Sequence, residues 1–196
     1  FGNSQKRIWT AHRTLQLDLQ HKSFVSLIPN KPGRGIEACA IGAKGVLGIR
    51  LKGKGSSGEL LESHPQLLQK VNGKSRWGKF AYRPVLAWQG RRLTKEHRLA
   101  LALSGELLEP FQGASVPEGI ALSGEGKSLL IEQVPLSTAL KQKLTENISK
   151  LSEDLSQINP PPITDDRRKC TLCSWRGICN AEAVVEGHLS EVSGIG

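Results

Sequence analysis

At 196 residues, with 38% hydrophobic and 23% charged residues, the chain has ordinary globular composition and can bury one sizeable core, so a single main domain is expected. No apolar run approaches the roughly 18 residues that a membrane span requires, so the chain reads as soluble, with no membrane partner. The net charge of +9 is concentrated in Arg50 to Lys54, Lys70 to Arg83, Arg91 to Arg98 and Arg167 to Lys169. Such an excess attracts phosphate backbones irrespective of sequence, and it also describes a solvated basic surface.

Residues 5–21 carry Ile8, Leu15 and Leu19 among polar residues, a helical spacing. A short helix is expected over residues 36–44, broken by Gly45, then a strand over "VLGIRLKG" and a turn at "KGSSG". The stretches "QLLQKV" and "GKFAYRPVLAWQ", separated by a turn at "NGKS", predict an antiparallel pair. Thr94 stands where an N-cap should for a helix over "KEHRLALALSGELLE", which Leu99, Leu101, Leu103, Leu107 and Leu108 make largely buried.

A second hairpin follows, with "EGIAL" and "SLLIEQV" as its strands and "SGEGK" as its turn. Leu136, Leu140, Leu144, Ile148, Leu151, Leu155 and Ile158 then recur at spacings of three and four, an amphipathic helix closed by Asn159 and three prolines. Helices alternating with strand pairs predict an α/β domain over residues 1–159, followed by a cysteine-rich segment over 160–186 and a last piece over 187–196. No internal repeat is visible.

Three of the four cysteines lie in "KCTLCSWRGIC", Lys169 to Cys179. With no signal peptide and no spread of cysteines along the chain, a reducing, cytoplasmic setting is expected, and the thiols point to metal. Cys170 and Cys173 are separated by two residues and Cys179 follows five residues on. Two thiols so spaced can bind one ion or one cluster edge from a tight turn, and the third closes the arc. The lack of a second such pair or of a histidine tail speaks against a zinc ribbon. His188 is a further candidate ligand, although a lone histidine is more often a surface residue; Cys39, inside "IEACAIG", reads as a small buried hydrophobe. The chain opens on Phe1 and contains no methionine, as a processed product or an excised segment would, so a ligand upstream of Phe1 is allowed for.

Other chemical patterns are weak. "ALSGEGKS", Ala121 to Ser128, satisfies a loose phosphate-loop formula, but the strand-like "LLIEQV" follows it where a long helix should, so a hairpin turn is expected. No GxSxG occurs, and His64 before Pro65 reads as a turn residue. Trp77, Trp88 and Trp175 are expected in the core, with base stacking as the alternative.

Taken in order, these features resemble the RecB-like nucleases of the PD-(D/E)XK superfamily, relatives of the CRISPR-associated exonucleases that carry a C-terminal iron–sulfur cluster. The resemblance covers nearly the whole chain and is strongest over "PPPITDDRRKCTLCSWRGICNAEAVVEGHLSEVSGIG". It implies a restriction-endonuclease-like core, a mixed central sheet flanked by helices. It also implies a 4Fe-4S cluster on Cys170, Cys173 and Cys179, whose first ligand lies ahead of the opening helix and hence upstream of Phe1. The final "EVSGIG" resembles the first turn of a helix-hairpin-helix.

The same resemblance implies where a nuclease site would stand. The family's "PDLL"-like segment reads "PQLLQKV" here, with Gln66 in place of the aspartate, and its acid-x-lysine reads as Leu86 and Trp88 in "YRPVLAWQGR". The family's Gln-x-x-x-Tyr pair becomes Ala100 and Ser104, while His21 falls at the helix-one histidine. The acids of such a site hold Mg²⁺ and the lysine helps activate water, so no catalytic residue and no magnesium are expected. The expected function is nucleic-acid binding, to DNA or to RNA, by a catalytically silent domain through Lys70, Lys74, Arg76, Lys79, Arg83, Arg91 and Arg92. Two alternatives stand beside it: an active Mg²⁺-dependent nuclease with ligands migrated to Glu59 or Glu62, and a structural module that holds further domains of the same polypeptide.

Overall fold

Residues 67–75 and 78–88 place apolar side chains alternately on two faces, and this alternation builds the centre of a mixed sheet. The computed structural model describes residues 24–26, 34–88, 92–125, 128–158, 173–174 and 176–187. The helix expected over 5–21, with His21, lies outside these residues, as do Arg91, Asn159 and the prolines after it, Cys170, Trp175, His188 and "EVSGIG". The chain divides into two compact units, residues 1–150 and 151–196, each described by itself.

The described elements are β1 (Phe24–Ser26), α1 (Arg34–Ala40), β2 (Gly45–Leu47), β3 (Leu51–Lys54), β4 (Leu60–Ser63), β5 (Leu67–Ser75), β6 (Gly78–Trp88), α2 (Lys95–Gln112), β7 (Glu118–Glu125), β8 (Ser128–Pro135), α3 (Thr138–Ser156) and α4 (Arg176–Glu186). Six strands form one sheet in the order β1-β2-β5-β6-β7-β8, and β3 pairs with β4 as a separate two-stranded ribbon. The pairs β2/β5, β5/β6 and β7/β8 are antiparallel, whereas β1/β2 and β6/β7 are parallel. The parallel step from β6 to β7 is bridged by α2, as a parallel crossover requires. The protein is thus an α/β fold, a mixed sheet flanked by helices.

Cross-strand register explains the two faces. Leu47, Leu67, Val85 and Ile120 sit opposite one another across four strands and, with Leu122, form one buried cluster. The neighbouring residues Val46, Leu68, Tyr82, Trp88 and Ala121 belong to the main core, which also takes in Ala38 and Cys39 of α1 and Leu101, Leu107 and Leu108 of α2. The Tyr82 hydroxyl donates to the carbonyls of Ala43 (2.6 Å) and Cys39 (3.3 Å), tying β6 to the end of α1. Burial, and then the neighbouring Cys39, raise the pKa of that hydroxyl above its ordinary value.

Four local expectations are corrected. The single strand over "VLGIRLKG" is two strands in different sheets, because Gly48, at a φ of 69°, turns the chain between β2 and β3. The turn expected at "NGKS" belongs to β5, whose pairing shifts register between Asn72 and Ser75, and the chain reverses at Arg76 and Trp77. The second helix, expected to stop at Glu109 before Pro110, runs to Gln112, where the Gly113 amide donates to the Glu109 carbonyl (2.8 Å). On α3, Leu144 is buried and Leu140 and Ile148 pack on the core, but Leu151 and Leu155 are exposed, as is Ile158, which lies past the helix's end at Ser156.

The N-cap at Thr94 stands as expected, its backbone N–H donating to His97 Nδ1 (3.2 Å). "ALSGEGKS" lies in the β7–β8 hairpin, with residues 126–127 outside the described ones.

Gln112 is fully buried where α2 meets the β5–β6 hairpin. Its Oε1 accepts the Tyr82 N–H (2.9 Å), its Nε2 donates to the Ala114 carbonyl (3.2 Å), and its own carbonyl accepts the Arg76 N–H (2.8 Å). The substitution Gln112→Ala leaves the buried Tyr82 N–H and the part-buried Ala114 carbonyl without this partner. Urea unfolding should show a loss of about 1–3 kcal/mol.

Candidate functional site

Three of the positions that the family resemblance singles out, Gln66, Leu86 and Trp88, lie together where the start of β5 meets the end of β6. Pro65 is buried, and Gln66 stands directly before β5, where its Oε1 accepts the N–H of Ala87 on β6 at 3.0 Å. Ala87 lies between Leu86, half-buried, and Trp88, buried, its indole ring centroid 6.2 Å from that of His97. The Trp88 Nε1 is itself buried, with no hydrogen-bond partner among the described residues. Ser104 does not reach this group: its hydroxyl donates to the Ala100 carbonyl (2.8 Å) and pairs with the Ser63 hydroxyl (2.7 Å). Ala100 is exposed.

All five residues are neutral, and Gln66, the one with a carboxamide, is engaged with backbone. The acid next to them in sequence, Glu62 on β4, lies against two cations, Arg50 Nε at 2.8 Å and Lys52 Nζ at 3.3 Å, and against the imidazole His64 Nε2 at 2.7 Å. Burial pulls the Glu62 carboxyl upward, but hydrogen bonds from Lys52 and His64 and the charges of Arg50 and Lys52 outweigh it and hold the group below its usual value of 4.5. Among the described residues no group of three His, Cys, Asp or Glu is placed to hold a metal ion.

The expected basic residues divide into two sets. Lys70 is half-buried, with its Nζ 3.0 Å from the Gly42 carbonyl and 4.1 Å from the centroid of the Phe80 ring. Arg83 is half-buried, paired with Glu118 and donating from Nε to Gln69 Oε1 (3.0 Å). Both serve the sheet. Lys74, Arg76 and Lys79 are exposed around the β5–β6 turn, Arg76 with one long bond to the Phe111 carbonyl (3.4 Å), and Arg92 is exposed ahead of α2. Lys74, Lys79 and Arg92 have no ion pair among the described residues. Trp77, at the same turn, is half-buried and packs edge-on against Tyr82, with ring centroids 5.9 Å apart.

Of the cysteines, Cys39 is fully buried, and burial pushes its thiol up to about 12, which keeps it protonated and inert. Cys173 is exposed, and its carbonyl accepts the Arg176 N–H (3.3 Å), closing the turn that leads into α4; Cys179 is half-buried in that helix. Two accessible thiols on either side of a turn suit a thiophilic centre.

A cleft of about 470 Å³ opens between the β3–β4 ribbon, α2 and α3. It is lined by two carboxyl groups, Glu59 and Glu106, above an apolar floor that includes Leu103, Leu107 and Phe111. These residues are far apart along the chain, and no spacing rule joins a turn residue of one hairpin to the face of a later helix.

No described helix is long and apolar enough to cross a membrane. No family model matches the chain, and no curated protein matches it. Among solved structures it is similar to one titled "Crystal structure of SSO0001", at 14% identity and a TM-score of 0.45, over 76% of this chain and 66% of that one.

Two outcomes are expected. Because the folded Glu62 carboxyl titrates below 4.5, its contribution to stability is complete above that pH and is lost as the pH falls through the folded value. The melting temperature of Glu62→Gln should therefore decline less steeply than that of the parent below pH 4.5. Alkylation of metal-free native protein followed by mass spectrometry should label Cys173 and Cys179, and should reach Cys39 only after denaturation.

Proposed function

We propose that this chain is a catalytically silent domain of the RecB-like nuclease kind that binds nucleic-acid backbone, DNA in the first instance, through the exposed turn of its β5–β6 hairpin. The antiparallel run β2-β5-β6, followed by α2 and by β7 parallel to β6, supports a restriction-endonuclease-like core. The observation that carries the silent reading is the bond from the Ala87 N–H to Gln66 Oε1, flanked by Leu86 and Trp88. Hydrolysis of a phosphodiester by this superfamily's chemistry needs a divalent cation gripped by anionic oxygens and a water to attack. Here the one side-chain oxygen already accepts a backbone proton, and the neighbouring side chains are hydrocarbon and indole.

Binding is supported by charge that the fold leaves unneutralised. Lys74, Arg76 and Lys79 flank one tight turn, and the excess of +9 surrounds them with a positive field. Arg92 adds a cation ahead of α2, and Arg91 beside it lies outside the described residues. Cys170, Cys173 and Cys179 would hold an iron–sulfur cluster with a fourth ligand from elsewhere, and its role would be structural, fixing the chain around α4. Iron and acid-labile sulfide, assayed on anaerobically purified protein, measure that part of the proposal.

Fluorescence anisotropy with single-stranded and duplex DNA across a salt series tests the binding. Affinity should fall steeply with salt, and the double variant Lys74→Ala/Lys79→Ala should flatten the log–log slope by about 2, one for each phosphate contact removed. No cleavage should accompany binding when Mg²⁺ or Mn²⁺ is supplied. Cation-dependent cleavage, or an unchanged slope in the double variant, refutes the proposal.

A further inference from the structure

We infer that the cleft between the β3–β4 ribbon, α2 and α3 is a binding site for an organic cation, an ammonium or guanidinium group on an aliphatic stem, with Glu59 as its principal acceptor and Glu106 as its second. Both carboxylate oxygens of Glu59 are buried, and neither has a hydrogen-bond partner among the described residues. A carboxylate withdrawn from water without a partner is among the most costly arrangements a protein can hold, so a group placed this way points to a ligand that completes it.

The seat of this carboxyl is built into the backbone. Glu59 closes the ribbon's turn, its carbonyl accepting the Gly55 N–H at 2.9 Å, and its side chain folds back over the same glycine. A Cβ at residue 55 would stand 2.4 Å from the Glu59 carboxyl carbon and from Oε1. The carboxyl can lie there only because position 55 has no side chain.

Two lysines, Lys52 and Lys54, line the cleft, and neither forms an ion pair with Glu59 or Glu106 among the described residues. Lys52, at the cleft wall, reaches Glu62 (3.3 Å), and Lys141 of α3 bonds to Glu109 (2.6 Å). Lys54 is exposed and makes no ion pair among the described residues. Glu106 is half-buried; burial first, then Glu109, raise its carboxyl above the usual value against the opposing pull of Lys141.

Size and lining select the ligand class. A volume of about 470 Å³ lies within the roughly 300–1,000 Å³ of small-molecule sites. A divalent ion keeps a shell of oxygens, water included, whereas most of this lining is hydrocarbon and two of its polar residues, Lys52 and Lys54, are cationic. An alkyl stem suits Leu103, Leu107 and Phe111, and a terminal cationic head, donating several hydrogen bonds, suits the two carboxyls. A free amine and the side chain of a basic residue share that chemistry.

Isothermal titration calorimetry of the full chain with agmatine and with Nα-acetyl-arginine-N-methylamide tests this, with N-butylurea as the neutral control. Saturable one-site binding of agmatine is expected, with none of the urea. Glu59→Gln should weaken binding at least about tenfold, the loss expected for a hydrogen bond to a charged group. Gly55→Ala displaces the same carboxyl without removing it and should weaken binding in the same direction. If the blocked arginine also binds, the site accepts a protein side chain; if agmatine alone binds, it accepts a free amine; both results uphold the inference. Absence of saturable binding by either cation, or equal affinity in folded Glu59→Gln and in the parent, overturns it.

Discussion

The β5–β6 hairpin depends on one buried amide. β7 pairs with β6 only from Val85 to Trp88, so the Tyr82 N–H, three residues short of that pairing, faces α2 with no strand beside it. The Gln112 side chain takes the place of the missing strand there, and its main-chain carbonyl receives the Arg76 N–H at the hairpin turn. A helix that stopped at Glu109 would leave the buried Tyr82 N–H and the Arg76 N–H of the turn without these acceptors. The extra turn past Pro110 is the physical consequence: Pro110 removes one intrahelical donor, and the three bonds made by Gln112 outweigh that loss. The exposed cations Lys74, Arg76 and Lys79 are therefore carried on a hairpin that is fastened at its turn as well as along its strands.

This dependence also marks where sequence reasoning works and where it stops. The second helix is legible from Thr94 and its leucines, and the β7–β8 hairpin from alternation on both sides of a glycine-rich turn, because these signals are local. The end of the helix is not legible, since what extends it is a partner some 30 residues earlier in the chain, Tyr82. The split of "VLGIRLKG" fails for a related reason. Val46 and Leu51 both read as strand residues, and only the backbone angle at Gly48 sends them into different sheets. The neutral cluster of Gln66, Leu86 and Trp88 is legible as a set of residue types, but the contact that unites it, Gln66 with the Ala87 N–H, is tertiary. Glu59 is legible only as an alternative metal ligand and Glu106 not at all, because an unpartnered carboxyl is a property of its surroundings.

Charge counted along the sequence overstates the charge presented to a partner. Lys70 neutralises the carbonyl end of α1 at Gly42 and covers Phe80, and Arg83 is balanced by Glu118. Arg50 and Lys52 share Glu62, so one acid offsets part of the basic run from Arg50 to Lys54. Of the cations expected to meet a nucleic acid, Lys74, Arg76, Lys79 and Arg92 make no ion pair among the described residues, and all four are exposed and so remain available to a polyanion.

In the proposed reading, the silence of the nuclease position is not a matter of one lost aspartate. An aspartate in place of Gln66 would restore a single anionic oxygen donor, and its shorter side chain would fall short of the Ala87 N–H that Gln66 now reaches. The next ligand would have to come from Leu86, which lies half-buried against the main core, and the lysine position is filled by Trp88, whose indole occupies volume that ordered water would need. Hydrocarbon and indole displace the solvent that a divalent ion retains in its shell, so the metal would lose hydration without gaining ligands. Acids in place of Gln66 and Leu86 separate this site from one that could hold magnesium, and a lysine in place of Trp88 from one that could activate water; Leu86 packs against the core and Trp88 lies in it, so packing energy opposes both of those changes.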